Sequence, residues 1–156
     1  MKDKLLWLWQ APQHLLGLAL IAITKAKPRA LDGTVYWHFE RKGWFTKFIS
    51  GGSFGAYILM PQRSDLKTEV PHEGGHSRQS ARWGPLYLPV IGVYSAVFCN
   101  LWDRWFHKSW ETYDRIYWYY MTRWTERQAD RLGGVDRAKA LRRIPRTEKA
   151  RFPAVA

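Results

Sequence analysis

The chain has 156 residues, 46% hydrophobic, 16% aromatic and 24% charged, and its 25 Lys and Arg against 13 Asp and Glu give a formal net charge of +12. That apolar content excludes a disordered basic tail, because such tails lack the large apolar groups from which a core is built, and the length suits one domain. A single cysteine, Cys99, excludes an intramolecular disulfide and a cysteine-based metal cage, so a metal site must draw on His, Asp and Glu.

Leu5 to Thr24 reads LLWLWQAPQHLLGLALIAIT, apolar and without a formal charge, with Lys2 and Lys4 before it and Lys25, Lys27 and Arg29 after it. Its length matches what a spanning helix needs, but Pro12, Gln13 and His14 interrupt it. A membrane-embedded or interfacial helix and a buried N-terminal helix both fit. A signal peptide is the rival, weakened by basic flanks on both sides.

After Pro28, Asp32-Gly33 is a turn signal, and Thr34 to Glu40 is rich in β-branched and aromatic residues. Arg41-Lys42-Gly43 then separates it from the strand-like Trp44 to Ile49, so a hairpin is expected. Ser50-Gly51-Gly52 breaks the pattern before a third strand, Ser53 to Met60. Gly51, Gly52 and Gly55 allow close backbone approach there, or mark only a turn and a bulge. Glu69 to Arg82 is expected to be a helix with Pro71 in its first turn and Trp83-Gly84-Pro85 as its stop.

Pro85 to Trp102 is a second uncharged apolar run, suited either to a span or to a buried core helix. Residues 103–120 resist assignment. Tyr120 to Leu132 reads as a helix stopped by Gly133-Gly134. Seven basic residues lie between Arg137 and Arg151 against Glu148 alone. They read as a solvated tail that lies near anionic lipid or simply keeps the protein soluble; no nucleic-acid-binding signature accompanies them, which disfavours that partner.

His72-Glu73-Gly74-Gly75-His76 is an H-E-x-x-H motif. Two His four apart on a helix share a face, so their ring nitrogens can converge on one Zn²⁺. Glu73 then occupies the general-base position of zinc peptidases, where it accepts a proton from metal-activated water. Gly74 and Gly75 weaken that helix, a cost explained if a neighbouring segment or the metal packs closely.

Glu126 and Asp130 are again four apart on a predicted helix. Glu126 is the candidate third ligand, and Asp130 can accept a hydrogen bond from the far nitrogen of a ligating His. Without the H-E-x-x-H motif the same pair would read as a solvated face bonded to Arg123, Arg127 or Arg131. His14, His38 and His107 are isolated. Tyr119 and Arg123 share the face of Glu126 and are candidates for oxyanion stabilisation, though packing and a salt bridge suit them better.

His72-Glu73-x-x-His76 followed by Glu126-x-x-x-Asp130 resembles the gluzincin metallopeptidases. The form T-E-x-x-A-D, Thr125 to Asp130, is closer to the membrane-associated gluzincins of the prenyl-protein protease and heat-shock peptidase group than to secreted thermolysin. The stretch HEGGHSRQSARWGPLYLPVIG also resembles small bacterial proteins with an H-E-x-G-H-x-x-Q-S core. The resemblance covers residues 53–134 at most. It implies hydrolysis of a peptide or protein substrate at a zinc site, with an extended substrate held against the strand before the metal helix.

The resulting expectation is an α+β fold in three segments. Residues 1–30 form an apolar N-terminal helix and candidate membrane anchor. Residues 31–135 form a metal-binding domain, a small antiparallel sheet packed on the His72 helix with two further helices. Residues 136–156 form a basic tail. Membrane association is expected from the two apolar stretches and the Trp near their ends, with a cytoplasmic location as the alternative. The other functional class is a membrane-associated scaffold with a non-catalytic zinc site; an intact Glu73 favours the enzyme.

Overall fold

The computed structural model describes residues 2–42, 46, 51–62 and 65–144. The first apolar stretch is two helices, α1 (Lys2–Trp9) and α2 (Ala11–Thr24), broken at the buried Gln10. Pro12 sits in the first turn of α2, where its missing N–H leaves no intrahelical bond unmade. The expected single apolar helix over residues 1–30 is thereby corrected. Among the described residues, no helix is long and apolar enough to cross a membrane.

The sheet has four strands in the order β1-β2-β4-β3: β1 (Lys27–Leu31), β2 (Thr34–Phe39), β3 (Gly52–Phe54) and β4 (Tyr57–Pro61). Asp32 and Gly33, both at positive φ, turn β1 into β2, as type I′ hairpins require. The sequence expectation placed no strand before that turn. β1 reads KPRAL and is mostly exposed, and an edge strand tolerates Pro because its outward N–H has no partner. The expected strand Trp44 to Ile49 lies, except for Thr46, outside the described residues.

Ser53 to Met60 is two strands rather than one, folded back at Gly55 with φ +66°. β2 and β4, the inner strands of the two hairpins, run parallel in the register Trp37↔Leu59 and His38↔Met60. The sheet is therefore mixed, which corrects the antiparallel expectation. Side-chain alternation along β4 supplies both faces of the sheet. Ile58 and Met60 pack with Tyr36 and Val70 on one side. Leu59 packs with Ala26, Phe39, Leu20 and Ile21 on the other. The sheet thus lies between α2 and the next helix, α3 (Leu66–Trp83), which carries Val70.

α3 starts earlier than expected, so Pro71 falls inside it. Pro85 to Trp102 is not a regular helix: a 3₁₀ turn (Gly84–Leu86) leads into wide π-type turns at Leu88–Gly92 and Ser95–Trp102. A short α4 (Asp103–Phe106) follows, then α5 (Thr112–Thr122). The expected helix Tyr120 to Leu132 is broken at Arg123, whose backbone is extended, and α6 runs Trp124–Gly133. Gly134 caps α6 in the left-handed region, with Val135 N–H on the Asp130 carbonyl at 2.9 Å. The basic segment contributes α7 (Arg137–Leu141).

Candidate metal centre

α3 and α6 cross where each gives up a side chain. A Cβ on Gly75 would overlap the Ala129 carbonyl, and one on Gly133 would overlap the Pro71 carbonyl. The two backbones meet at these glycines, which accounts for Gly75 through the close packing that its helix position suggested. Gly74 meets nothing within 4 Å, and its residue type has no packing explanation.

This approach brings His72 and His76 from α3 against Glu126 from α6. Glu126 Oε2 lies 3.2 Å from His72 Nε2 and 3.3 Å from His76 Nε2. One ligand atom from each residue falls within 4.8 Å of the others. All three are buried, with His72 at 2% and Glu126 at 1% exposure. The three residues predicted as ligands thus form one group that can hold a metal ion.

The far ring nitrogens are both tied. His72 Nδ1 is 2.8 Å from Asp130 Oδ1, the partnership expected from the sequence. His76 Nδ1 is 2.7 Å from Gln79 Oε1. A carboxylate and an amide oxygen only accept, so both Nδ1 atoms carry the proton and the neutral rings present Nε2 lone pairs. Two lone pairs then face one carboxylate oxygen, and only a cation or a proton between them relieves the repulsion. The donor set therefore fits a divalent metal with imidazole and carboxylate ligands, as zinc takes.

Protonation of the metal-free site follows the same electrostatics. Burial alone would lower the His72 pKa, but the hydrogen bonds to Asp130 and Glu126 outweigh it and raise the value to about 10. His76 is also raised against its burial, by the Glu126 charge. Burial would raise Glu126, yet the two imidazoles hold it well below the usual carboxylate range. Asp130 is likewise lowered, through His72 and Arg137.

Sequence reasoning missed two residues. Gln79, fully buried, donates its amide to the Thr125 carbonyl at 2.8 Å and to Gln128 Oε1 at 3.0 Å, so His76 is oriented by a group anchored to α6. Its signal was the helical spacing of three from His76. Arg137, assigned to a solvated tail, is only 6% exposed. It grips Asp130 with two bonds, Nε to Oδ2 at 3.0 Å and Nη2 to Oδ1 at 2.7 Å. Its guanidinium lies 3.6 Å from the Tyr120 ring centroid, and Tyr120 in turn packs edge-on against His72. Spacing by seven from Asp130 was the one available hint.

Glu73 stands beside the metal group, not in it. The residue is half-buried, its buried Oε2 has no hydrogen-bond partner among the described residues, and desolvation raises its pKa. It lines a cavity of about 500 Å³ that also contacts His72, His76, Glu126, Phe54 and Ile91. β3 borders this cavity as an edge strand and is tied to α3 by the Ser53–Ser77 hydroxyl pair at 2.7 Å. Tyr119 lines the cavity too, whereas Arg123 is engaged by Asp103 at 2.7 Å. His14 is buried on Trp7 and Tyr57 with its pKa lowered by burial, and His107 stacks on Trp110.

Comparison with protein-family models, curated proteins and solved structures finds no match to this chain.

Proposed function

We propose that the protein is a zinc-dependent metallopeptidase of the gluzincin type. The observation that carries this reading is Glu73, whose buried Oε2 has no hydrogen-bond partner among the described residues, in the same cavity as the convergent His72, His76 and Glu126. A purely structural metal site has no use for such a group or for an open cavity beside it.

Zinc held by His72, His76 and Glu126 would supply a Lewis acid that polarises the substrate carbonyl and makes water a stronger acid. Glu73 accepts the proton of the attacking water at its free oxygen and delivers it to the departing amine nitrogen as the C–N bond breaks. Burial favours its protonated form in the metal-free protein, which suits a group that must hold a proton and then release it. Asp130 and Gln79 keep the imidazoles in one tautomer and one orientation. The apolar wall around Ile91 and Phe54 keeps bulk water from the reacting groups.

The test is elemental mass spectrometry of the purified protein with hydrolysis of a peptide library. About one zinc per chain is expected, lost in His72→Ala. Glu73→Gln should retain zinc and lose hydrolysis, since the amide keeps the shape and cannot take the proton. Equal hydrolysis by the wild type and Glu73→Gln would instead support a scaffold with a non-catalytic metal.

A further inference from the structure

We propose that the protein docks on an anionic phospholipid surface through two exposed apolar faces, one on the α1–α2 pair and one on the 95–106 segment. The first face belongs to the α1–α2 pair, where Leu5 and Leu8 are 63% exposed and Trp9 48%. The second belongs to the 95–106 segment, where Leu101 is 68% exposed, Trp102 49% and Trp105 76%. Sequence alone allowed a buried core helix over Pro85 to Trp102, and the structure turns much of that run outward.

The α1–α2 pair is fixed to the end of α3 by specific bonds. The Trp9 indole N–H donates to the Ala81 carbonyl at 3.1 Å, and its ring covers Gly84 so closely that a Cβ there would overlap it. The Gln13 amide donates to the Gly84 carbonyl. The α1–α2 junction is thus held on the stretch of chain that leads into the second face. Clustered exposed Leu and Trp of this kind mark interaction surfaces rather than ordinary solvent-facing residues.

Charge selects the occupant. Lys4, Lys25, Arg82 and Lys108 are exposed and lie at or near the ends of these segments in the chain, and the whole chain carries +12. Leu and Trp flanked by Lys and Arg is the composition of elements that lie in the headgroup region of anionic bilayers. A second copy would bring the same positive charge to the contact and be repelled. With no described helix able to span, the attachment is to one leaflet. Leu88, Ile91 and Ser95 of the intervening segment line the cavity of the metal site, so docking sets that cavity close to the lipid surface. The proposal does not depend on zinc or on hydrolysis.

The experiment is cosedimentation of the full chain with sucrose-loaded vesicles, either an equal mixture of phosphatidylcholine and phosphatidylglycerol or phosphatidylcholine alone. Binding to the mixed vesicles is expected, weaker binding to the neutral ones, and incomplete release by high salt. Leu5→Asp with Leu8→Asp, and Leu101→Asp with Trp105→Asp, should each weaken binding by about tenfold or more, with melting as in wild type. Should either pair fail to fold, quenching of wild-type tryptophan fluorescence by brominated lipid gives the same answer without a variant. No pelleting with mixed vesicles, absence of quenching, or full release by salt would overturn the proposal. So would a wild-type dimer in sedimentation velocity that these substitutions convert to monomer.

Discussion

Asp130 shows how one side chain can serve a metal group without joining it. Its Oδ1 accepts from His72 and from Arg137, and its Oδ2 takes the second bond from the same guanidinium. The carboxylate therefore stays ionised inside the protein, and an ionised partner makes His72 a better donor of electrons at Nε2. Asp130→Ala should weaken zinc retention by roughly 10–100-fold, measured by competition with a chromogenic chelator. Arg137→Ala should act in the same direction through Asp130, while leaving the ligand residues unchanged. Full retention in both variants would remove Asp130 and Arg137 from the site. Gln79 plays the corresponding part for His76, and its own amide bonds to Thr125 and Gln128 make that hydrogen bond depend on α6 staying in place.

At the scale of elements, the α3–α6 crossing is what assembles the site. Helix axes usually stand about 8–10 Å apart, and small residues at the contact allow the close end of that range. Here Gly75 lets the Ala129 carbonyl in, one turn from Glu126 and one residue from His76, and Gly133 does the same for the Pro71 carbonyl beside His72. Gly75→Ala would gain helix propensity of about 1 kcal/mol, but its methyl would meet backbone that cannot rotate away. Overpacking of this kind costs about 1–3 kcal/mol, so thermal denaturation should show a net loss of stability, accompanied by weaker zinc binding. Gly74→Ala, at a position with open space, is the control and should not destabilise. An unchanged melting temperature in Gly75→Ala would mean that the helices can separate without cost.

The whole molecule registers the site through its dependence on pH. In the metal-free protein His72 titrates near 10 against an ordinary 6.5. The stability it contributes is therefore complete below pH 6.5 and is lost as pH rises through about 10. Glu73, raised by burial, adds a loss of the same sign that begins above its ordinary value of 4.5. Glu126 and Asp130 are lowered, so their contribution is present above the ordinary values of 4.5 and 3.8 and falls away in acid. Chelator-treated protein should accordingly melt highest between about pH 4.5 and 6.5 and at falling temperature towards pH 10. Zinc-loaded protein should not show that alkaline decline, because the metal takes the place of the proton between the same ligands. A metal-free melting temperature that rises from pH 6.5 to 10 would contradict the arrangement.

His72, His76, Glu126 and Asp130 were legible in the sequence because helical periodicity alone sets residues four apart on one face, whatever surrounds the helix. The turn at Asp32-Gly33 was legible for a similar reason, since the residues themselves carry the required positive φ, whereas the strand before it that makes the turn a hairpin was not. Properties of that kind are local. The parallel pairing of β2 with β4, the break at Arg123 and the outward face of the 95–106 segment depend on what lies across space, and the sequence of each element is silent about its neighbour. Arg137 is the clearest case: among seven basic residues of one segment, only its spacing of seven from Asp130 sets it apart, and the helix stop at Gly134 between the two makes that spacing a weak guide. Only the fold of α7 against α5 and α6 gives it the Asp130 carboxylate and the Tyr120 ring, partners that compensate a guanidinium for leaving water.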